Sequence, residues 1–268
     1  PADIAAFQGL GRGLTDCRGL KPVEPVFQPV SEQGPVTGIL VLEAEGPWRI
    51  GQGTPDPDQS SKPADFLPKT EECVCWNEQG EGERRLRQFL LPAASLKGAI
   101  RHRMAFYARC LGAEWVVSDA PLDQEHAAVE ALFGSLKHTG RENEGESGRA
   151  GALFFDDVWV DVDKSAVLRQ MHNVIDRFTG GVMQGKLFEE ESLTGGQLRI
   201  PVVLDTRRVD EGDEKLWQAL ALALADLCEG RLALGSRITT GNGYFRGRLE
   251  GELAQWLQER GQPVGEVA

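Results

Sequence analysis

Two cations stand one helical turn apart in residues 92–101, PAASLKGAIR. Lys97 and Arg101 lie on one helix face, which differs from the face of the apolar residues Leu96 and Ile100. Unpaired N–H groups at a helix start, the positive end of the helix dipole and two cationic side chains together favour phosphate binding. The alternative is a solvated helix face on which these cations have no special role.

A Gly-rich loop, residues 235–243, lies within the segment 234–247, LGSRITTGNGYFRG. Glycines let a backbone approach a ligand closely, and Arg237 and Arg246 supply positive charge. The segment is not a Walker loop, because no Gly-Lys-Ser/Thr follows, and it is not a dinucleotide fingerprint, because the strand comes after it. A plain tight turn remains the alternative.

A third segment begins at His172 and reads HNVIDRFTGG, followed by GKLFEEE from Gly185. Pairs of glycines at both ends of the GKLFEEE stretch predict a β-hairpin that projects over residues 172–200. Asp176 and Arg177 could pair with each other on the surface, a contact of little energy.

The five cysteines are odd in number and scattered, which argues against the disulfide framework of a secreted protein. Cys73 and Cys75 form a C-x-C pair that could contribute to a zinc site. No second pair with ligand spacing accompanies them, so ordinary thiols are the alternative.

Apolar spacings of three and four predict a helix over 95–111, with Ser95 as a plausible N-cap. Residues 51–85 lack periodicity and form a long, acidic, Pro- and Gly-rich loop. Further helices are predicted at 126–134, 214–228 and 251–260, and strands at 36–45, 152–161, 198–205 and 243–250.

Without its insertions, the order of elements is strand, helix, strand, strand, helix, strand. This order predicts an α+β fold with a ferredoxin-like or RRM-like (βαββαβ) core, in which two helices cover one face of an antiparallel sheet. Residues 1–35 form a linker-like extension, 36–250 one domain, and 251–268 a terminal helix and tail. No aromatic RNP signature is present, so base stacking on the sheet is not predicted.

Lys and Arg total 29 against 41 Asp and Glu, a formal net charge of −12, whereas a free-standing nucleic-acid binder is usually basic. An acidic chain can still hold RNA along one local basic face that partner subunits complete. No apolar run approaches the roughly 20 residues that span a bilayer, and no signal-peptide pattern is present. We therefore expect a cytoplasmic protein without membrane contact, which begins at Pro1 and could be part of a longer chain.

Together, residues 92–101, 175–191 and 235–247 resemble the RAMP (repeat-associated mysterious protein) superfamily, specifically the backbone subunits of type III Csm and Cmr CRISPR effector complexes. The family carries Pro-x-Ser-Ser-Leu-Lys-Gly-x-x-Arg, then Ile-Asp-Arg-x-Thr-Gly-Gly-Ala with Leu-Phe-x-x-Glu, and a Gly-rich loop near the C-terminus. Residues 133–135 and 151–157 resemble its middle section. The resemblance runs from about residue 36 to 250.

The resemblance implies a subunit that lines up along a CRISPR RNA, grips the guide backbone and interrupts guide–target pairing with a thumb-like hairpin. Its partners would be the CRISPR RNA, target RNA, copies of itself or other RAMP subunits, and the other type III subunits. His172 is either a guide contact or a neutral surface residue. The implied RNA-binding residues are Ser95, Lys97, Arg101, His172, Arg177, Gly235, Arg237, Gly241 and Gly243.

The resemblance also implies endoribonuclease activity that depends on magnesium or manganese, with a catalytic Asp in the loop before the 95–111 helix. Asp65, followed by an apolar residue and Pro68, fits the family setting best, and Asp56 is the second choice. Three alternatives are a non-catalytic structural or capping subunit, one RAMP unit of a fused effector chain, and a stand-alone processing ribonuclease. The last would need a catalytic His, which none of the four histidines convincingly supplies.

Overall fold

A computed structural model describes residues 34–55, 62–76, 80–111, 127–135, 148–160, 162, 164–209, 213–260 and 262. The fold is that of the unit Gly34–Ala268. Asp56 and nearly all of the predicted extension 1–35 lie outside the described residues.

The strands are β1 Val36–Ala44, β2 Pro47–Trp48, β3 Thr70–Trp76, β4 Gly82–Leu91, β5 Gly134–Ser135, β6 Arg149–Ala150, β7 Leu153–Phe155, β8 Val158–Val160, β9 Val167–His172, β10 Phe188–Thr194, β11 Gln197–Leu204 and β12 Phe245–Glu250. The α-helices are α1 Ala93–Cys110, α2 Ala127–Phe133, α3 Glu214–Cys228 and α4 Glu252–Glu259, with 3₁₀ turns at Lys164–Ala166, Thr206–Arg208 and Ile238–Thr240.

The central sheet has the strand order β12-β1-β11-β7 and is antiparallel throughout. Numbered along the chain, these four strands stand in the order 4-1-3-2. Helix α1 connects the first strand to the second, and α3 connects the third to the fourth. This arrangement confirms the predicted ferredoxin-like α+β core.

Side chains of the central strands alternate between a buried and an exposed face. In β11, Leu198, Ile200 and Val202 are buried, whereas Gln197 and Arg199 are exposed. Helices α1 and α3 contact each other over the buried face, to which α1 contributes an apolar stripe. Each fully buried Leu or Ile side chain contributes about 1.5–3 kcal/mol to folding.

The predicted long loop 51–85 contains strand β3 and the beginning of β4, so part of it is strand rather than loop. These strands form a hairpin that continues into a three-stranded sheet with β8. Most of the described β3 side chains are exposed. Without a buried face, the sequence shows no alternation of apolar and polar residues that would predict a strand.

Strands β9 and β10 form the arms of the thumb, paired from Val167 with Leu193 to His172 with Phe188. Residues 173–187 project beyond this pair and contain one isolated bridge between Ile175 and Val182. The hairpin therefore begins earlier than the predicted 172–200, and its last predicted strand belongs to the central sheet. None of the helices in the described part of the chain combines the length and apolar character that crossing a bilayer requires.

Candidate nucleic-acid interface

A cleft of ≈ 460 Å³ opens at the base of the thumb, and we call it the thumb-base cleft. Four parts of the chain line it: Arg49 after β2, the segment with Asp65 and Phe66, the thumb residues from Gly185 into β10, and Arg237 of the Gly-rich loop. The cleft thus joins the second and third segments singled out in the sequence with the predicted catalytic residue Asp65.

A buried carboxylate, Glu190, contacts two of the cationic side chains that line this cleft. Glu190 is only 2% exposed, and its Oε1 accepts a hydrogen bond of 2.8 Å from Arg49 Nε. Its Oε2 forms an ion pair with Arg237 Nε at 3.2 Å. A buried charge is tolerated only when it is paired, so Glu190 fixes both guanidinium groups in place.

His172 takes part in the same network. Its Nδ1 lies 3.4 Å from Arg237 Nη2, and because arginine can only donate, Nδ1 is the acceptor in this contact. Nε2 then faces Glu190 Oε2 at 3.6 Å, too long for a hydrogen bond, and neither atom has a hydrogen-bond partner among the described residues. The ring of His172 also lies 5.3 Å from that of Phe188. His172 is therefore half-buried and in contact with Arg237 and Phe188, rather than a surface residue without contacts.

The Gly-rich loop lies against the segment that follows β1. Ser236 N–H donates to the Arg49 carbonyl, and Gly243 N–H donates to that of Pro47, both at 2.9 Å. A Cβ at Gly235 would lie 2.2 Å from the Arg49 oxygen, so this glycine permits close backbone contact. The loop geometry therefore serves internal packing, and Arg237, with a φ of 58°, supplies its charge to the cleft.

Asp65 is fixed at the edge of the thumb base. Its Oδ2 accepts a hydrogen bond of 2.9 Å from the Glu189 N–H, and Phe66 forms a parallel bridge to Glu190 in β10. The exposed carboxyl group lies between the thumb-base cleft and a second cleft of ≈ 430 Å³. The cations that line the two clefts are Arg49, Lys186 and Arg237 in the first, and Lys62 and Arg169 in the second.

The donor set around Asp65 does not fit a preformed metal site. Among the described residues, no three His, Cys, Asp or Glu side chains are grouped to hold a metal ion. One oxygen of Asp65 already accepts a hydrogen bond from a backbone amide, and most of the charged residues that line the cleft with it are cations. Cys73 lies on β3, and the described residues give the C-x-C pair no further zinc ligands.

The start of α1 is not organised as predicted. Ser95 is not the N-cap: the capping position is Pro92, which has no capping side chain. The Ala93 N–H donates to Asp157 Oδ1 at 2.6 Å, so an internal carboxylate already occupies the helix start. Lys97 is half-buried, and burial, followed by the charge of Arg101, lowers its pKa.

The tip of the thumb is a tight turn. Asp176 Oδ1 accepts hydrogen bonds from the Thr179 and Phe178 amides at 3.0 and 2.8 Å, which hold the pKa of Asp176 below its ordinary range. The Arg177 guanidinium lies 4.7 Å from the Phe178 ring centre. The expected surface pair of Asp176 with Arg177 is therefore wrong, because the carboxylate is used by the turn.

The thumb also exposes many apolar side chains, and Phe178 is 84% exposed. The others are Met171, Val174, Ile175, Val182, Met183 and Leu187. Such a concentration of exposed apolar side chains indicates an interaction surface.

The protein-family model described as "RAMP superfamily" matches residues 41–246, which is most of the chain. The chain belongs to the RAMP superfamily. No curated protein matches it. Among solved structures, a chain of a "Type IV-B CRISPR Complex" is similar, with a TM-score of 0.49 and 19% sequence identity over 80% of this chain and 90% of that chain. This likeness is too weak to support an argument about function.

In this RAMP chain, the predicted RNA-binding residues form two groups at opposite ends of the central sheet. The Gly-rich loop enters β12 where Phe245 pairs with Ala44, at the end of β1. Lys97 lies over Phe154, which pairs with Val203 beside the beginning of β1. Nine residues of strand separate these ends, a distance of about 25 Å. Ser95, Lys97 and Arg101 therefore do not join the thumb-base cleft.

Arg49 and Glu190 are site residues that sequence reasoning missed. Arg49 follows a two-residue strand without any motif of its own. Glu190 stands between two other glutamates, of which Glu191 is also buried, and the packing of β10 decides which of the three lie inside the fold. A run of three glutamates gives no signal in a single sequence that would distinguish the buried ones.

Proposed function

We propose that this RAMP chain is a guide-RNA-binding backbone subunit of a type III CRISPR effector complex, and that it cuts target RNA beside its thumb. The observation that carries the proposal is the position of Asp65, held by the Glu189 amide between two clefts lined by cations. The predicted cytoplasmic location and the RNA and protein partners belong to the same proposal.

Guide binding would use both ends of the sheet. At one end, Lys97 and Arg101 lie at the start of α1 and contact RNA phosphates. At the other end, Arg237 is oriented by Glu190, and Arg177 extends from the thumb. A guide strand that runs about 25 Å along one subunit could contact both groups of cations. A ligand held in a single compact pocket would not need two groups so far apart.

In the proposed cleavage, the RNA 2′-oxygen forms a bond to the adjacent phosphorus, and the bond from phosphorus to the 5′-oxygen breaks. Asp65 accepts the proton of the 2′-hydroxyl as general base, and the departing 5′-oxygen takes a proton from water. Lys186 and Arg49 line the cleft and would stabilise the extra negative charge on the phosphoryl oxygens. The products are a 2′,3′-cyclic phosphate and a 5′-hydroxyl end.

The test is Asp65→Asn in the assembled complex with guide RNA and a labelled target RNA. Asn retains an oxygen that accepts the Glu189 N–H but cannot act as a base, so we expect cutting to slow by about 100-fold or more. Guide binding should not change, and Asp156→Asn, an exposed acid after β7, should cut normally. Unchanged cutting by Asp65→Asn would contradict the assignment and direct attention to Asp56.

The requirement for magnesium or manganese is tested separately, by comparing wild-type cutting with each ion and with a chelator. Because the described residues do not form a metal site, cutting that stops with chelator would mean that metal ligands come from RNA oxygens or from residues outside the described part of the chain. Cutting that persists with chelator would support the general-base step alone.

A second candidate is a non-catalytic structural or capping subunit. The engagement of Asp65 with the Glu189 amide favours it, because this bond also explains the residue without any catalytic role. A complex that binds target RNA but never shortens it, with either metal ion, would support this candidate. The masses of the subunits that copurify would show the effector type and whether the chain is one unit of a fused protein.

A further inference from the structure

Phe154 is an exposed aromatic side chain on the edge strand of the central sheet. Its neighbours Leu153 and Phe155 point into the core, whereas Phe154 is 40% exposed on the face opposite to the helices. Leu153 and Phe155 supply the core packing of this strand, and the Phe154 ring remains partly accessible to a ligand.

Two cations from different elements lie over this ring at cation–π distance. Lys97 Nζ of α1 lies 6.0 Å from the ring centre, and Arg208 Cζ lies 5.8 Å from it. Within the described part of the chain, Lys97 forms no ion pair. Arg208 stands in the 3₁₀ turn after β11, where its Nε donates to Asp205 Oδ2 at 2.9 Å. The guanidinium group is thus held beside the ring before any ligand arrives.

Further positive charge surrounds these three residues. Arg149 Nη2 donates to the Arg208 carbonyl at 2.7 Å, and Arg207 shares the Asp205 carboxylate. Arg101 is close enough to Lys97 to lower the pKa of that amine. Five cations therefore gather at one edge of a chain whose net charge is −12, and two acids, Asp157 and Asp205, are bonded among them.

We infer that Phe154 stacks on a nucleobase of single-stranded RNA, while Lys97 and Arg208 contact the phosphates on either side of that base. This inference rests on the proposed function and adds a base contact to it. An aromatic face bordered by fixed cations matches the combination that holds single-stranded nucleic acid without sequence preference. It lies at the end of the central sheet opposite to the Gly-rich loop that lines the thumb-base cleft, so it positions the guide and takes no part in cleavage.

This base contact is not predicted from the sequence, because no RNP signature is present. An RNP signature describes aromatic residues on the central strands, and the central strands β1 and β11 expose none here. Phe154 lies on the edge strand β7, outside that signature.

The test uses the full chain at low salt and a single-stranded guide RNA that carries 2-aminopurine at successive positions. The variants are Phe154→Leu and Phe154→Trp. Leu keeps an apolar side chain but cannot stack, so we expect about tenfold weaker binding and loss of the fluorescence quenching at one position. Trp should bind within about twofold of the wild type.

Phe106→Leu is the matched control, because Phe106 is 50% exposed on α1 and also lies near a cation, Arg103, at 5.9 Å. It should bind RNA normally. Arg208→Gln should reduce the salt dependence of log Kd against log salt concentration by about 0.7, the value for one phosphate on a single strand.

Equal binding by the wild type and Phe154→Leu would overturn this inference and leave the proposed function intact. Equal weakening by the Leu and Trp variants would also overturn it, since it would indicate a shape-dependent protein contact. A wild-type chain or assembled complex that binds no guide RNA would overturn the proposed function, and the base contact with it. Denaturation midpoints within error of the wild type confirm that each variant is folded.

Discussion

Glu190 organises the candidate site at the scale of single residues. Its carboxylate is buried with Arg49 on one side and Arg237 on the other, and His172 closes the network. The residue contacts β2, β9 and the Gly-rich loop at once, so one side chain fixes the relative positions of three parts of the cleft. Its role is to hold the Arg49 and Arg237 guanidinium groups in position, rather than to contact RNA itself.

Glu190→Gln should destabilise the fold strongly. The substitution keeps the shape of the side chain but leaves two buried or half-buried guanidinium groups without their counter-charge, which costs about 3 kcal/mol or more in the free energy of unfolding. A urea titration measures the loss as a lower transition midpoint.

The control is Glu189→Gln on the neighbouring position of β10. Glu189 pairs with Arg169, and both side chains are about one third exposed. Loss of a surface pair costs about 1 kcal/mol or less. Equal shifts for the two variants would show that Glu190 has no special role in the cleft.

The Gly-rich loop is the element that connects the fold to the cleft. Gly235 and Gly241 both have a φ near +90°, yet their surroundings differ. A Cβ at Gly235 would meet the Arg49 carbonyl at 2.2 Å, whereas a Cβ at Gly241 would meet nothing within 4 Å. The first glycine is required by close contact and conformation, the second by conformation alone.

Gly241→Ala should cost about 1–2 kcal/mol, the usual penalty of a left-handed conformation for a residue with a Cβ. Gly235→Ala should cost clearly more and should weaken RNA binding, because relief of the backbone clash moves the loop that carries Arg237. Urea midpoints and RNA affinity measured on both variants decide the point. Equal destabilisation would contradict the assigned packing role of Gly235.

Elements with a continuous buried stripe could be predicted from the sequence. The helix predicted at 214–228 has those bounds, because Leu216, Leu220, Leu224 and Leu227 recur on one side of it. Strand β3 could not be predicted, since most of its described side chains are exposed and it carries no such stripe. The prediction of Ser95 as the N-cap was wrong for a similar reason. The side chain that bonds the start of α1 is Asp157, 64 residues away from Ala93, and no local pattern shows this contact.

The acidic balance of the whole chain limits how it can bind RNA. A net charge of −12 repels a polyanion at long range, and the cations of the thumb-base cleft are partly neutralised by Glu190. Under the proposed function, binding would therefore depend on few local phosphate contacts, supplemented by neighbouring subunits along the same guide.

The isolated chain should bind guide RNA weakly at physiological salt. With about three to four phosphate contacts, log K should fall against log salt concentration with a slope of about −2 to −3. The assembled complex should bind far more tightly, because its subunits share one RNA. Filter binding between 50 and 200 mM salt, on chain and complex, measures both. A slope steeper than about −6 for the isolated chain would instead indicate an extended basic track.

The order of the core elements and the three segments typical of the superfamily could be read from the chain alone, since helix and strand periodicity and short motifs are local properties. Which of these segments lie close together depends on the folded structure. The bond between Arg49 and Glu190 spans 141 residues, and the placement of Lys97 at the far end of the sheet follows from the pairing of β7 with β11. Such contacts depend on strand order and register, which no local pattern specifies. The structure therefore joined Asp65 to the thumb and separated Lys97 from it.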